Sequence, residues 1–313
     1  MIWDDMTLPS RDQIFLKLAH TTSYGNWSWA KDSDGRAGIA LEVIGKADLG
    51  IASQSKYFEV TTKNIPLIGN VLTVFCTSSE FFEIFYVLCN DLLSYSIKAS
   101  SVKEALTLLS NRLDIWSKLF SKGFKGLSVD QIRGLIAELF ILKKILIKNK
   151  FTNINIWTGP LGTAQDFTNK TSNVAVEVKA VSKEKSLVKI SSIDQLEYSG
   201  NLFLVTIPVI SAKINDNEKL NLDLIVKEIK EIIDDRFNYE LNTLLLNSGY
   251  IDNLYRDYYF VVDQPICYEV VANFPKITRS MVPNEIHAAK YELNLEFCSE
   301  FEVGFDIIGI DSI

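Results

Sequence analysis

An amphipathic pattern in the middle of the chain predicts a long helix. From Gln131 to Lys148 the apolar residues recur at helical spacing, at Leu135, Leu139, Leu142 and Leu146. At about 100° per residue, Glu138 projects inside this apolar stripe, between Leu142 and Ile145. A carboxylate in an apolar stripe loses its water on folding and therefore requires a partner.

A run of β-formers follows and predicts a strand. The sequence Val174-Ala-Val-Glu-Val-Lys179 is apolar almost throughout, which is typical of a strand covered on both faces. Side chains two apart on a strand share a face, so Glu177 and Lys179 point the same way, roughly 6.5–7 Å apart along the chain. In such a place they need to pair with each other, with a metal or with a substrate.

A second carboxylate, Asp166, lies between the helix and the strand. It follows a Gly/Pro-rich loop, Trp157 to Gln165, and precedes a predicted hairpin turn, Thr168 to Asn173. A hairpin this tight brings Asp166 close to Glu177. Two carboxylates that close repel each other unless a cation lies between them, and hard oxygen ligands of this kind suit Mg²⁺.

The N-terminal hundred residues predict a small, mostly antiparallel β domain. Asn26 to Val43 gives two strands around an Asp-Ser-Asp-Gly turn, and Tyr57–Thr62 and Val71–Thr77 give two more. Trp27 and Trp29 share a face, where core packing is favoured over base stacking. His20 is expected on the surface at the end of a short helix pattern. Glu80–Tyr95 and Val102–Phe120 are predicted helices, the second capped by Ser100-Ser101.

The remaining pattern predicts alternating strands and helices. Lys189 to Leu196 is expected to enter a helix with Ser191 or Ser192 as its cap. The other predicted elements are strands at Asn201–Val209, Tyr258–Val262, Ile266–Asn273 and Tyr291–Phe297, and helices at Leu222–Phe237 and Tyr239–Ser248. Three regions result: a β-rich domain at 1–78, a helical connector at 79–125, and a third domain at 126–313 with an acidic C-terminal extension.

Charge is distributed unevenly along the chain. The net charge is −7, yet residues 112–150 carry nine basic and three acidic side chains, whereas residues 194–313 carry nine and 21. Lys118, Lys122, Lys125 and Arg133 precede the Glu138 helix and are candidates for phosphate contacts. Lys143, Lys144, Lys148 and Lys150 fit equally well as solvated residues at a helix end.

Composition excludes several classes of site. Four cysteines without a Cys-x-x-Cys spacing indicate reduced core residues. Two histidines give poor support to a zinc site or a Ser-His-Asp triad, and no Walker-type glycine-rich loop indicates ATP. Without a long apolar run or a signal pattern, we expect a cytoplasmic protein with no membrane partner.

Several of these features together resemble a known superfamily. They are Gly126-Leu-Ser, Arg133-Gly-Leu-Ile-x-Glu138-Leu, Trp157-x-Gly-Pro, Asp166-Phe, Val176-Glu-Val-Lys179, Ile190-Ser-Ser-x-x-Gln195-Leu, Val271-x-Asn-Phe-Pro-Lys-Ile277 and Ala289-x-Tyr-Glu-Leu293. From about residue 105 to about 293 the chain is similar to the PD-(D/E)XK, or restriction-endonuclease-like, superfamily. The similarity is greatest to a family of PD-(D/E)XK motif proteins from bacterial restriction and phage-defence gene clusters.

The resemblance implies roles for individual residues. Asp166 and Glu177 would bind Mg²⁺, for which Mn²⁺ can substitute, and Lys179 would position or activate the attacking water. Glu138 would support the site, holding a second metal through water or orienting Lys179. Ser191, Ser192 and Gln195 would lie near the site and contact DNA, together with Arg133, Lys122 and Lys125. One departure is visible, because Gln165 stands where the superfamily has its namesake proline.

The expected fold is of the α+β or α/β class. It has a restriction-endonuclease-like core, in which helices flank a mixed central sheet, preceded by the β domain. The expected function is that of a Mg²⁺-dependent endodeoxyribonuclease in restriction-modification or phage defence, resembling type II enzymes. Its partners would be double-stranded DNA and a second copy or another subunit, such as a methyltransferase or another defence protein. The alternatives are a non-catalytic DNA-binding or scaffold subunit, and a nuclease for RNA or branched DNA.

Overall fold

The computed structural model places the chain in two compact units, Met1–Phe124 and Lys125–Ile313. It describes residues 1–44, 53–54, 56–65, 68–121, 126–148, 154–182, 187–213, 215–216, 218–252 and 254–307. Among these residues, no helix has both the length and the apolar character needed to cross a membrane.

The first unit is built on an antiparallel sheet. Its elements are β1 (Ile14–Thr21), β2 (Gly25–Asp32), β3 (Ala37–Val43), β4 (Ser53–Gln54), β5 (Phe58–Ile65), β6 (Gly69–Cys76), α1 (Phe82–Ser96) and α2 (Val102–Ser121). The described strands lie in the order β1-β2-β3-β6-β5-β4, and each neighbouring pair is antiparallel.

The predicted Asp-Ser-Asp-Gly turn joins β2 to β3. Asp32 Oδ1 accepts hydrogen bonds from the backbone N–H groups of Asp34 (3.1 Å) and Arg36 (2.8 Å). A short polar side chain that bonds the backbone ahead of it stabilises such a turn. The local sequence therefore favours this hairpin.

Aromatic packing ties the helices of the first unit to its sheet. Trp27 and Trp29 are buried, as core packing predicts, and the ring of Trp29 stacks on Tyr86 of α1. Phe120 of α2 stacks on Tyr57. Both helices of the segment 79–125 thus pack within the first unit.

One local prediction in the first unit is wrong. His20 is exposed, as expected, but it lies in strand β1, opposite Trp27, and not in a helix. The strand pairs irregularly between Leu18 and His20. Pairing with the buried strand β2 outweighs the local helix pattern, as tertiary context commonly does.

The second unit surrounds a mixed sheet. Its elements are α3 (Val129–Lys148), β7 (Phe167–Asn169), β8 (Val174–Val181), β9 (Leu187–Ile190), β10 (Asn201–Ala212), α4 (Leu222–Ile232), α5 (Asn238–Asn247), β11 (Tyr259–Val262), β12 (Ile266–Glu269), β13 (Tyr291–Asn294) and β14 (Glu302–Val303). The described strands lie in the order β14-β12-β10-β8-β7, with β11 also paired to β10 and a separate β13-β9 pair. Strands β8 and β10 are parallel and the other pairs are antiparallel.

The central strand β8 is covered on both faces, as its apolar run predicts. Val174, Val176 and Val178 pack in one core with α3, whereas Ala175 packs in a second core with β9 and β13. Glu177 and Lys179 share the face of Ala175, because alternate residues of a strand point the same way. The expected fold class, a mixed sheet flanked by helices and preceded in the chain by an antiparallel sheet, is confirmed.

Close backbone contacts fix the register of the central strands. The β7-β8 hairpin pairs Phe167 with Val176, and Asn173 in its turn has a positive φ of 54°. The N–H of Asn201, at the start of β10, donates to the carbonyl of Asn173 (3.0 Å). Gly200 allows this approach, because a Cβ there would lie 2.2 Å from the Asn173 oxygen. Asp166 directly precedes β7, and the pairing of β7 with β8 therefore brings Asp166 close to β8.

Candidate active site

Helix α3 delivers Glu138 to the site. The buried indole of Trp157 donates a hydrogen bond from Nε1 to Glu138 Oε2 (2.9 Å). Burial raises the pKa of Glu138 well above its usual value, and the negative charge of Asp166 raises it further. The Glu138 carboxyl group is therefore held by the neutral indole N–H of Trp157, in surroundings that disfavour its ionised form.

The loop before β7 holds Asp166 from two directions. Its backbone carbonyl accepts hydrogen bonds from the N–H groups of Thr158 and Gly159, both at 2.9 Å. Its carboxylate Oδ2 accepts a third from the N–H of Val178 in β8 (2.8 Å). Burial raises the pKa of Asp166 to about 6, although the Val178 N–H acts in the opposite direction.

Gly159 allows a close approach within this loop. A Cβ on Gly159 would lie 3.1 Å from Asp166 Oδ1 and 3.2 Å from Asp166 Cα. These contacts are tighter than ordinary van der Waals distances. The Gly-Pro pair of the loop therefore lets the backbone fold directly against the Asp166 side chain.

Strand β8 supplies the third carboxylate and an ammonium group. Glu177 is 1% exposed, and its Oε1 lies 2.6 Å from Lys179 Nζ. Apart from this ion pair, both carboxylate oxygens of Glu177 are buried without a hydrogen-bond partner. Burial, and then the charge of Asp166, raises the pKa of Glu177 to about 8.

Gln195 restrains Lys179 from the other side. The short 3-10 helix Ile193–Leu196 begins at Ser192, whose side chain accepts from the N–H of Asp194 (3.2 Å). Gln195 Oε1 then accepts hydrogen bonds from Lys179 Nζ (3.2 Å) and from the N–H of Ser191 (2.7 Å). The expected helix and its serine cap are confirmed, and Gln195 is engaged with the lysine.

The structure brings together the four polar residues that the sequence singled out. Beyond the effect of burial, the charge of Asp166 raises the pKa of Glu177, and the charges of Asp166 and Glu177 both raise the pKa of Glu138. Lys179 is the single ammonium among these three carboxylates in the contacts described above. Burial is the main cause of the raised pKa of each carboxylate, and Lys179 acts in the opposite direction on all three.

These residues fit a divalent metal held mainly by water. Among the described residues, no three His, Cys, Asp or Glu side chains form a cluster able to hold a metal ion. Mg²⁺, however, typically uses one or two carboxylates and keeps several waters. Asp166 and the buried Oε2 of Glu177, which has no hydrogen-bond partner, are the donors that such an ion would use.

Arg133, which was expected to contact DNA, makes its described contacts away from the four site residues. It pairs with Asp130 (2.7 Å) and lies over the ring of Phe260. Lys122 and Lys125 lie outside the described residues. Ser191 is exposed beside the site, where its hydroxyl is open to solvent.

Sequence reasoning missed two residues that support the site. Trp157 and Gln165 both fall in the quoted loop, but neither was given a role. Gln165 is 6% exposed and donates from Nε2 to the carbonyls of Asp194 (2.7 Å) and Glu197 (3.1 Å). The only signal in the sequence is a tryptophan and an amide flanking a Gly-Pro loop, which does not predict their partners.

Comparison with known proteins identifies the family. The family model described as "Putative PD-(D/E)XK family member, (DUF4420)" matches residues 1–296, and so includes the N-terminal β unit as well as the site. Searches of curated proteins and of solved structures gave no match. Members of the PD-(D/E)XK superfamily are generally nucleases and typically use divalent metals. The chain therefore belongs to the DUF4420 family of the PD-(D/E)XK superfamily.

Proposed function

We propose that this protein is a Mg²⁺-dependent endodeoxyribonuclease that hydrolyses phosphodiester bonds of double-stranded DNA. The observation that carries this proposal is the convergence of Glu138 from α3, Asp166 from the loop before β7, and Glu177 and Lys179 from β8. A structural ion pair would need only Glu177 and Lys179. The two further carboxylates, Glu138 and Asp166, raise the electrostatic free energy of the folded protein unless a cation binds between them.

Each residue has a role that follows from its position. Asp166 and Glu177 would hold the metal. Glu138 would support the site by holding a second metal through water or by orienting Lys179. Bound there, Mg²⁺ or Mn²⁺ would supply Lewis-acid stabilisation of the charge on phosphate. Lys179, held between Glu177 and Gln195, would orient the attacking water and stabilise the negative charge that develops at phosphorus.

The bond changes are those of hydrolysis. Water adds to phosphorus, the bond from phosphorus to O3′ breaks, and the products carry a 5′-phosphate and a 3′-hydroxyl. One site cuts one strand, so a double-strand cut requires a second copy or a partner subunit. We further propose a place in restriction or phage defence, with unmodified DNA as the substrate to test.

The test is a cleavage assay on plasmid and phage DNA with Mg²⁺, with Mn²⁺ and with EDTA. We compare the wild type with Lys179→Met, and with Lys227→Met as a matched control, because Lys227 is an exposed lysine on α4. We expect Lys179→Met to lower kcat by about 10²–10³-fold, as loss of one group that stabilises transition-state charge does. Lys227→Met should cleave as the wild type does.

The same assay distinguishes the alternatives. Discrete fragments that disappear with EDTA and in Lys179→Met support a site-specific endonuclease. If only RNA or branched DNA is cleaved, the proposed substrate would be wrong, but the assignment of the active site would stand. Retardation of DNA on a gel with no cleavage of any of these substrates would reject catalysis by this chain and favour a DNA-binding subunit of a larger complex.

A further inference from the structure

We propose that Gln165 is a positioning residue for Lys179 and acts through Gln195. The inference rests on the proposed function, because it assigns Lys179 a catalytic role. Gln165 occupies the place where the superfamily pattern has a proline. A proline would stiffen the backbone before Asp166 but would offer no hydrogen-bond donor.

The carboxamide of Gln165 donates hydrogen bonds to backbone carbonyls at the end of the 3-10 helix Ile193–Leu196. Its Nε2 lies 2.7 Å from the carbonyl oxygen of Asp194, 3.1 Å from that of Glu197 and 3.4 Å from that of Gln195. The last carbonyls of a helix lack partners within the helix, and a side-chain donor can satisfy them. A buried amide with two N–H groups therefore fixes the end of this short helix.

That helix carries the group that restrains the lysine. Gln195 Oε1 accepts from Ser191 N–H (2.7 Å) and from Lys179 Nζ (3.2 Å). Three residues thus form a continuous chain of contacts, from Gln165 to the backbone of Gln195 and from the Gln195 side chain to Nζ. A shift of the helix end would move the oxygen that holds the ammonium.

The same residue also adjoins the metal-binding carboxylate. Gln165 directly precedes Asp166, whose Oδ2 is fixed by the Val178 N–H (2.8 Å). The Gln165 carbonyl accepts from the Thr163 hydroxyl (2.8 Å), which holds the loop independently of the 3-10 helix. Gln165 therefore sets the spacing between the Asp166 loop and the segment that orients Lys179.

The alternative is that Gln165 only fills a buried place and stabilises the fold. A double-mutant cycle separates the two roles, using Gln165→Met, Gln195→Met and the double variant, with Thr163→Val as the matched control. Thr163→Val removes a hydrogen bond to the same residue without touching the 3-10 helix. Melting temperatures and circular dichroism establish that each variant is folded. If Gln165→Met does not fold, Gln165→Leu takes its place, because it also lacks the amide donors and places no charge against the carbonyl oxygens.

If Gln165 acts through Gln195, Gln165→Met should lower kcat by about 10- to 100-fold, the size of effect that a small misplacement of a catalytic group produces. KM for DNA should change by less than about threefold, since the interaction lost is made in the transition state. In the Gln195→Met background the same substitution should add little, because contacts in one chain are not additive. A full, additive loss in that background would overturn the proposal.

A second measurement does not depend on cleavage. Reductive methylation of Lys179, followed by peptide mass spectrometry, reports how firmly Nζ is held. We expect Gln165→Met to raise the labelling rate by about threefold or more, the effect of losing one ordinary hydrogen bond. Thr163→Val should label as the wild type does.

The two measurements also separate failure of the inference from failure of the proposed function. A wild type that cleaves no nucleic acid would reject the nuclease function, and the labelling rates would then decide the positioning role alone. Equal labelling of the wild type and Gln165→Met would overturn that role.

Discussion

The indole nitrogen of Trp157 donates a 2.9 Å hydrogen bond to Glu138 Oε2, and this bond joins helix α3 to the loop that leads to Asp166. Trp157 is fully buried and also bridges to Phe167 at the start of β7. The carboxylate on the helix is consequently placed relative to the carboxylate on the loop by one rigid side chain.

Trp157→Phe removes this donor while keeping an aromatic ring. We expect the free energy of unfolding to fall by about 1–3 kcal/mol, the usual effect of losing a hydrogen bond to a charged or buried group. We also expect kcat to fall, because Glu138 loses its orientation. Denaturant melts and cleavage kinetics measure the two effects.

Trp116→Phe is the matched control for this substitution. Trp116 is also fully buried, and its Nε1 donates to a carboxylate oxygen of Asp91 (2.8 Å) in the first unit. It should lose a similar amount of stability with unchanged kcat. Equal loss of kcat in both variants would show that the effect of Trp157→Phe is a general consequence of destabilisation.

The buried carboxylate of Glu177 is expected to make the metal-free protein sensitive to pH. Because the pKa of Glu177 is raised from 4.5 to about 8, the folded protein binds this proton more tightly than the unfolded chain does. The stability that this group contributes is full below its unfolded pKa and is lost as pH rises through about 8. In EDTA, the melting temperature of the wild type should therefore fall as the pH rises through this window. The melting temperature of Glu177→Gln should fall less over the same range.

Glu285→Gln provides the control for the pH series, because Glu285 is exposed. Its melting temperature should follow that of the wild type at every pH. Added Mg²⁺ should oppose the decrease at high pH, since a metal binds the ionised carboxylates and stabilises the state that it binds. A Glu177→Gln protein that loses stability with pH as steeply as the wild type would contradict the assignment.

Gly159→Ala tests the close approach of the loop to Asp166. The new Cβ would lie 3.1 Å from Asp166 Oδ1, so the carboxylate must move by a few tenths of an ångström. We expect Mn²⁺ affinity, measured by calorimetry, to weaken by about 10-fold or more, as changes next to a metal ligand do. The fold, monitored by circular dichroism, should be retained.

Gly134→Ala is the control for the glycine substitution. Gly134 lies inside α3, and a Cβ there meets no atom within 4 Å. Alanine is favoured over glycine in a helix, so the variant should be more stable by about 0.5–1 kcal/mol and should bind Mn²⁺ normally. Weaker Mn²⁺ binding by Gly134→Ala than by Gly159→Ala would show that loop geometry does not determine affinity.

The two serines before Gln195 should behave differently, although the sequence placed both among the DNA contacts. Ser192 caps the 3-10 helix, so Ser192→Ala should lower stability by about 0.5–2 kcal/mol. Ser191 is exposed, and its described bond uses the backbone N–H. Ser191→Ala should leave stability unchanged and weaken DNA binding by up to about 10-fold, if its hydroxyl contacts phosphate.

Gel retardation at fixed salt measures this difference between the serines. It requires DNA bound without cleavage, which Ca²⁺ or EDTA permits. An unchanged Kd for Ser191→Ala would remove Ser191 from the DNA contacts and leave Ser192, Gln195, Arg133, Lys122 and Lys125 as the remaining candidates.

The sequence by itself determined the elements that carry the site. The helical spacing around Glu138, the β run around Glu177 and the turn after Asp166 are local patterns, and each forms where it was predicted. Local patterns succeed here because helix periodicity and hairpin geometry depend on neighbours a few residues away. The prediction for His20 failed for the opposite reason, because pairing with β2 overrides its local pattern.

Only the tertiary structure decided which groups hold these residues. Trp157 and Glu138 are 19 residues apart, and Gln165 and Asp194 are 29 residues apart, so no periodicity links either pair. The raised pKa values likewise arise from burial by elements that are distant in the chain. Sequence therefore specified the chemistry of the four site residues. Packing decided how far these side chains are removed from solvent and which hydrogen-bond donors orient them. Desolvation and hydrogen-bond geometry are properties of the assembled core.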